Sequence, residues 1–136
     1  EILRCLVGSE MCKETGVGLG SFAGGALCYL IAQLTRTHGF DGSFPWGTFI
    51  VNLTGSFLLG LLFGLSARYS IFPDEIRLLL MVGFCGGFTT FSSFIQENAL
   101  LLQTGQYATI ALYTLTSLIG GTVLFFLAVS LVKSFS

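Results

Sequence analysis

Charge is what this sequence has least of: Asp, Glu, Lys and Arg make up 10% of its 136 residues, against 53% hydrophobic residues. A water-soluble surface needs more charge than that. The deficit is uneven, leaving four charge-free intervals: Thr15 to Thr35, Gly42 to Ala67, Leu78 to Gln96 and Asn98 to Val132. Each can supply the roughly 20 residues of one bilayer crossing. The last is longer than one span, but Gln103-Thr104-Gly105-Gln106 reads as a polar turn between two helices, so the third span runs past Glu97. The expectation is an all-α membrane protein, one transmembrane domain over residues 1–136 with spans at about 15–35, 46–67, 77–102 and 107–132. Such a chain sits as a multi-pass protein in the cell membrane, with the lipid bilayer as its surroundings.

Other absences narrow the function. With a formal net charge of -1 there is no basic stripe for nucleic acid. The four cysteines, Cys5, Cys12, Cys28 and Cys85, have no C-x-x-C spacing and share the chain with one histidine, His38, which argues against a zinc site and for free thiols or small apolar fillers. Without G-x-S-x-G or H-E-x-x-H there is nothing from which to build a catalytic unit, so an enzyme is not expected. A proton-coupled multidrug-type exporter of similar size is the alternative transporter class. It needs an ionisable residue at the membrane centre, and the first span has no acid, base or histidine there. The chain opens at Glu1, and residues 2–8 are too short and interrupted for a signal-peptide core, which reads as a processed end.

What is present is glycine, hydroxyls and aromatics in register. Gly16, Gly20 and Gly24 recur every four residues and line one face of the first helix, where a neighbouring backbone can approach closely. The spacing of Gly18, Gly20 and Gly24 does not fit a dinucleotide loop. After Arg36, residues 37–45 read as a turn, and Pro45-Trp46 as a helix start at the membrane interface. Thr48, Asn52 and Ser56 then share one face of the second span. That face suits either hydrogen bonds to another helix or a polar track for a solute. In the third span, Gly86-Gly87-Phe88-Thr89-Thr90 predicts a break in the helix that frees backbone groups, tolerated at membrane depth only where something satisfies them. Phe88, Phe91 and Phe94 follow at three-residue steps, and Tyr113, Thr116 and Ser117 add a polar face to the fourth span.

Taken together, Gly24-Gly25-Ala26-Leu27, Pro45-Trp46-Gly47-Thr48 with Val51-Asn52-Leu53, and above all Gly83 through Phe94, resemble the Fluc/CrcB family of small fluoride channels, over roughly Gly16 to Val132. The resemblance implies an antiparallel dimer with two pores and passive export of fluoride from the cytoplasm. It implies that Asn52 lines the pore, that Phe91 and Phe94 are the paired pore phenylalanines, that Thr48, Tyr113 and Ser117 are polar positions along the pathway, and that Glu97 is the acidic residue of the third helix. It also implies a structural sodium ion on the two-fold axis, held by the backbone carbonyls of Gly86 and Thr89. One departure is Cys28, where the family usually carries an arginine.

The chemistry agrees with that resemblance. Fluoride is small and strongly hydrated, so a selective path must replace water with donors without trapping the ion. Hydroxyls, an amide and the positive edges of phenyl rings provide weak solvation of that kind. Orientation pulls the other way. Arg4, Lys13, Arg68, Arg77 and Lys133 fall on the side of both termini and only Arg36 on the other, a bias of five to one toward cytoplasmic termini. An antiparallel homodimer needs both orientations, so a related chain of opposite orientation, with this one as a partner subunit, is the alternative assembly.

Overall fold

The computed structural model describes residues 2–39, 42–70 and 72–135, with side chains from Lys13 onward. The side chains of Arg4, Cys5 and Cys12, and the residues Asp41 and Ser136, lie outside the described residues. The chain is all helical among these. Helix α1 runs Ile2–Thr37 and α2 runs Trp46–Tyr69. The third span is composite: α3 (Asp74–Arg77), a π-helical stretch (Leu78–Cys85), α4 (Gly86–Phe88) and α5 (Phe91–Gln103). Helix α6, Tyr107–Ser134, completes the chain. Among the described residues, four stretches are long and apolar enough to cross a membrane: Lys13–Thr37, Trp46–Tyr69, Asp74–Gln103 and Tyr107–Ser134.

Local chemistry sets the ends. Pro45 precedes the first residue of α2, where a missing N–H costs nothing, and the Trp46 ring packs 4.7 Å from Phe44 and 6.0 Å from Phe49. Gly105, at φ +74°, makes the turn into α6 that a residue with a Cβ would strain to make. At the far end, Arg68 in the last turn of α2 donates to the Lys133 carbonyl (3.2 Å), linking the end of α2 to the end of α6.

Packing between helices relies on missing side chains. A Cβ at Gly20 would overlap the Leu79 carbonyl, and one at Gly24 the Phe84 carbonyl. From the other side, a Cβ at Gly83 would lie 2.8 Å from the Val17 carbonyl and one at Gly87 2.5 Å from that of Ser21. The predicted glycine face of α1 is therefore a contact surface, with Gly16 its looser end: its Cβ would meet Leu79 at an ordinary 3.7 Å. Helices α2 and α6 pair in the same way, Gly60 against the Phe125 carbonyl and fully buried Ala128, and Gly64 against Val132. In lipid, where apolar burial hardly drives helices together, this closeness gives the dispersion contacts that do.

The third span departs from the helix after its paired glycines, not at them. The sequence places unwinding from Gly86 onward, yet Gly86 to Phe88 are helical, and the extended residues are Thr89 (φ −80°, ψ 139°) and Thr90 (φ −133°, ψ 117°). Gly87 is small because Ser21 lies against it, not because the chain unwinds there. Thr89 turns back on the preceding helix, its N–H and its Oγ1 both donating to the Cys85 carbonyl at 2.9 and 2.7 Å. Thr90 then caps α5, its Oγ1 accepting from the Ser93 N–H at 3.2 Å.

This packing predicts a sharp contrast between neighbouring glycines. Gly24→Ala forces a methyl into backbone and should lower unfolding stability by about 1–3 kcal/mol, the usual cost of overpacking. Gly18→Ala, where nothing lies within 4 Å, should be neutral. Thermal unfolding of both variants in detergent checks this, and equal midpoints would mean that the interface yields more readily than its geometry implies.

Candidate functional site

The polar face of α2 meets the third span at two levels. At the lower, the Asn52 amide clasps the backbone of Thr90: the Thr90 N–H donates to Oδ1 at 2.8 Å, and Nδ2 donates to the Thr90 carbonyl at 3.2 Å. Of the two readings of Asn52, hydrogen bonding to another helix is thus present, and it satisfies both polar groups of an extended residue. An amide has two N–H donors, so one of Asn52 remains beyond this pair. One turn earlier on α2, buried Thr48 donates to Glu97 Oε1 at 2.7 Å, and fully buried Tyr113 on α6 donates to Oε2 at 2.8 Å. Glu97 is therefore held on both carboxylate oxygens by α2 and α6, a central tie that its place in the sequence does not suggest.

The aromatics join these levels. Phe94 is buried and packs 4.9 Å from the Tyr113 ring, while Phe91 stacks on Phe94 at 6.0 Å and 28°. Phe91 itself is 73% exposed, so the stack runs from the helix bundle to its surface. Phe44 and Phe49 pack around the Tyr113 ring at 5.4 and 6.5 Å, behind the carboxylate.

A groove of about 320 Å³ follows this line, bordered by Asn52, Ser56, Thr89, Thr90, Phe91, Phe94 and Ser117. Its polar members differ in what they have left to offer. Ser56 donates to the Asn52 carbonyl in its own helix, and Thr89 likewise turns back to the Cys85 carbonyl, as Thr116, outside the groove, does to that of Leu112. Ser117 Oγ is buried with no hydrogen-bond partner among the described residues. A buried hydroxyl in that state is costly unless something satisfies it. Among the residues the sequence singles out, the structure brings Asn52, Phe91, Phe94 and Ser117 to this groove, while Thr48, Tyr113 and Glu97 form the tie behind it.

Two residues have roles that the sequence alone does not show. Thr90 supplies the backbone that Asn52 holds and also caps α5, and its signal is there: a hydroxyl residue three before Ser93 at the head of an apolar helix. Cys28 lines a cavity of about 370 Å³ together with Arg36, Thr48, Gln96 and Glu97, so Cys28 and the carboxylate border one space. Nothing local in the sequence pairs those positions.

At Gly86 and Thr89 the backbone leaves the helical hydrogen-bond pattern. An uninterrupted helix would aim the N–H of Thr90 at the Gly86 carbonyl and that of Ser93 at the Thr89 carbonyl. Both donors are diverted, Thr90's to Asn52 and Ser93's to the Thr90 hydroxyl. Gly86 is also exposed, with nothing within 4 Å of where its Cβ would be.

Comparisons with known proteins identify relatives of the chain. Residues 15–129 match the family described as CrcB-like protein, Camphor Resistance (CrcB). The chain is 45% identical over 120 residues to the fluoride-specific ion channel FluC of Prosthecochloris aestuarii, covering 88% of this chain and 92% of that one. It is 43% identical over 117 residues to the protein of the same name from Chlorobium phaeobacteroides, covering 86% and 90%. A third, from Leptospira interrogans, is 43% identical over 119 residues, covering 88% and 93%. The matched residues contain both levels of the tie between α2 and the third span, and the chain belongs to the CrcB-like family.

Proposed function

We propose that this chain is a multi-pass membrane channel that lets fluoride leave the cytoplasm down its gradient, through a path lined by Asn52, Ser117, Phe91 and Phe94. The observation that carries the reading is the unpartnered Ser117 hydroxyl in a groove walled by a phenylalanine stack and an amide with a spare donor. An anion crossing there finds donors and ring edges but no fixed positive charge, so it is solvated without being trapped. Thr48 and Tyr113 already donate to Glu97. Their hydroxyls serve the ion when it displaces the carboxylate as acceptor, which makes Glu97 the competitor that keeps each stay brief.

The groove is open on one side and Phe91 projects from it, which supports a pore completed by a second copy in antiparallel orientation. Gly86 and Thr89 fit a sodium ion shared between two such copies, because their carbonyls have lost their helical donors and Gly86 is exposed. Bound there, sodium would supply positive charge near the anion path and satisfy backbone oxygen at membrane depth. The five-to-one charge bias by itself points to an assembly in which the opposite orientation comes from a related chain, but the pore residues are nearly complete in this one chain, which supports the homodimer.

Liposomes carrying this chain alone should release fluoride far faster than chloride; equal rates would remove the selectivity claim. Phe91→Ile, at an exposed position, should slow fluoride release by at least tenfold while the protein remains dimeric, whereas Asn52→Leu should cost both flux and stability, because it leaves the Thr90 N–H and carbonyl unpaired. Unchanged flux in both would reduce the track to packing.

Replacing sodium by a bulky organic cation throughout purification should weaken the dimer, read as a shift to monomer in size-exclusion chromatography. A dimer indifferent to sodium would exclude the shared site. For orientation, a cysteine added after Ser136, with the four native cysteines replaced, should label from both sides of intact cells when the chain is expressed alone. Labelling from the cytoplasm only, with no fluoride flux until a related chain is co-expressed, would establish the paired assembly instead.

A further inference from the structure

On the side of the termini, where α1 and the third span begin, a cavity of about 310 Å³ is lined by Lys13, Asp74, Arg77, Leu78, Met81 and Val82. It lies away from the groove and shares no residue with it. Its chemistry is graded along the membrane normal. Asp74 opens the third spanning stretch and Lys13 lies just before the charge-free interval that begins at Thr15, Arg77 is one turn in, and the three apolar residues follow toward the interior. A surface charged at the boundary and apolar below it, with Val82 55% exposed, has the profile of one phospholipid molecule.

The charges specify the headgroup. Lys13 forms no ion pair with a described residue, and Arg77 meets Asp74 only at 3.9 Å with both side chains more than half exposed, a pairing too weak to hold either. The cavity thus offers two cations and one carboxylate, and Glu14 and Glu75 beside it, both exposed, keep this end from being positive overall. A purely anionic headgroup would meet the cations but also the carboxylates. A headgroup with a phosphate and a primary ammonium answers both signs: phosphate to Lys13 and Arg77, ammonium to Asp74. A trimethylated amine has no N–H to give the carboxylate. The geometry points to a binding site for a zwitterionic phospholipid of the phosphatidylethanolamine class at this cavity, whatever ion the chain conducts.

The test places a reporter in the apolar half. Val82→Trp is made in a Trp46→Phe background, so that it is the only tryptophan, and reconstituted in phosphatidylcholine with a fixed fraction of brominated lipid. Brominated phosphatidylethanolamine should quench it more strongly than brominated phosphatidylcholine or phosphatidylglycerol, with a local preference on the order of fivefold, the factor one charged contact contributes at a membrane surface. Asp74→Asn should erase the preference over phosphatidylcholine, and Lys13→Gln with Arg77→Gln should lower association of all phosphate headgroups. Equal quenching by the three lipids means ordinary surrounding lipid and overturns the proposal. Strongest quenching by phosphatidylglycerol would make the site anionic and overturns it as well, and quenching by none would show that a second copy covers the cavity in place of lipid, which also overturns it. Native mass spectrometry of the unsubstituted protein in mixed micelles provides an independent measurement: ethanolamine lipid should stay bound where choline lipid does not, and equal retention refutes the site.

Discussion

Backbone that leaves a helix inside hydrocarbon must find a partner for every N–H and C=O, and the third span of this protein is organised around how it does so. At Thr90 the answer is a single side chain. Asn52 returns to that residue the donor and the acceptor that the helix withheld, in the geometry of a paired amide. Neither a hydroxyl nor an ionised carboxylate could do this, because a primary amide carries the donor and the acceptor on two atoms at that spacing. Much else follows from the pair. It fixes α2 against the third span, lets Thr90 turn its hydroxyl to α5, and leaves the Gly86 and Thr89 carbonyls without helical donors.

The tie at Glu97 does for the upper level what Asn52 does for the lower, with charge in place of a paired amide. Thr48 reaches it from α2 and Tyr113 from α6, so three spans converge on one carboxylate. Between the two levels lies Phe94, held by the Tyr113 ring. A bundle of smooth apolar helices could slide or rotate at little cost. Two polar contacts along one face of α2 leave it a single register, and the glycines of α1 and α6's partner face let the other spans close onto that register.

Four spans are legible because absence of charge is a property of composition, and the faces of α1 and α2 because helical periodicity places Gly20 with Gly24 and Thr48 with Asn52. Which residues within Gly86 to Thr90 carry the extended backbone is not, and the reason is physical. Glycine has two uses, freedom of the backbone and lack of bulk, and Gly87 serves the second against Ser21. Extension falls instead to Thr89 and Thr90, where the deciding partner sits 38 residues away. The central place of Glu97 is hidden for the same reason: its partners are 49 and 16 residues distant, and its position near one end of an apolar run says nothing of the bundle around it.

The π-helical stretch from Leu78 to Cys85 has its own consequence. Such a stretch carries more residues per turn than an α-helix and commonly records an extra residue taken up inside a helix. The third span thus has slack in its length that α2 does not. Losing or gaining one residue between 78 and 85 can be absorbed by tightening or widening turns, with the glycines before it and the threonines after it held near their partners. The same change between Thr48 and Asn52 rotates one against the other by about 100° and separates the two polar contacts. Length variation among homologous chains should therefore collect in the first half of the third span and be nearly absent from the second.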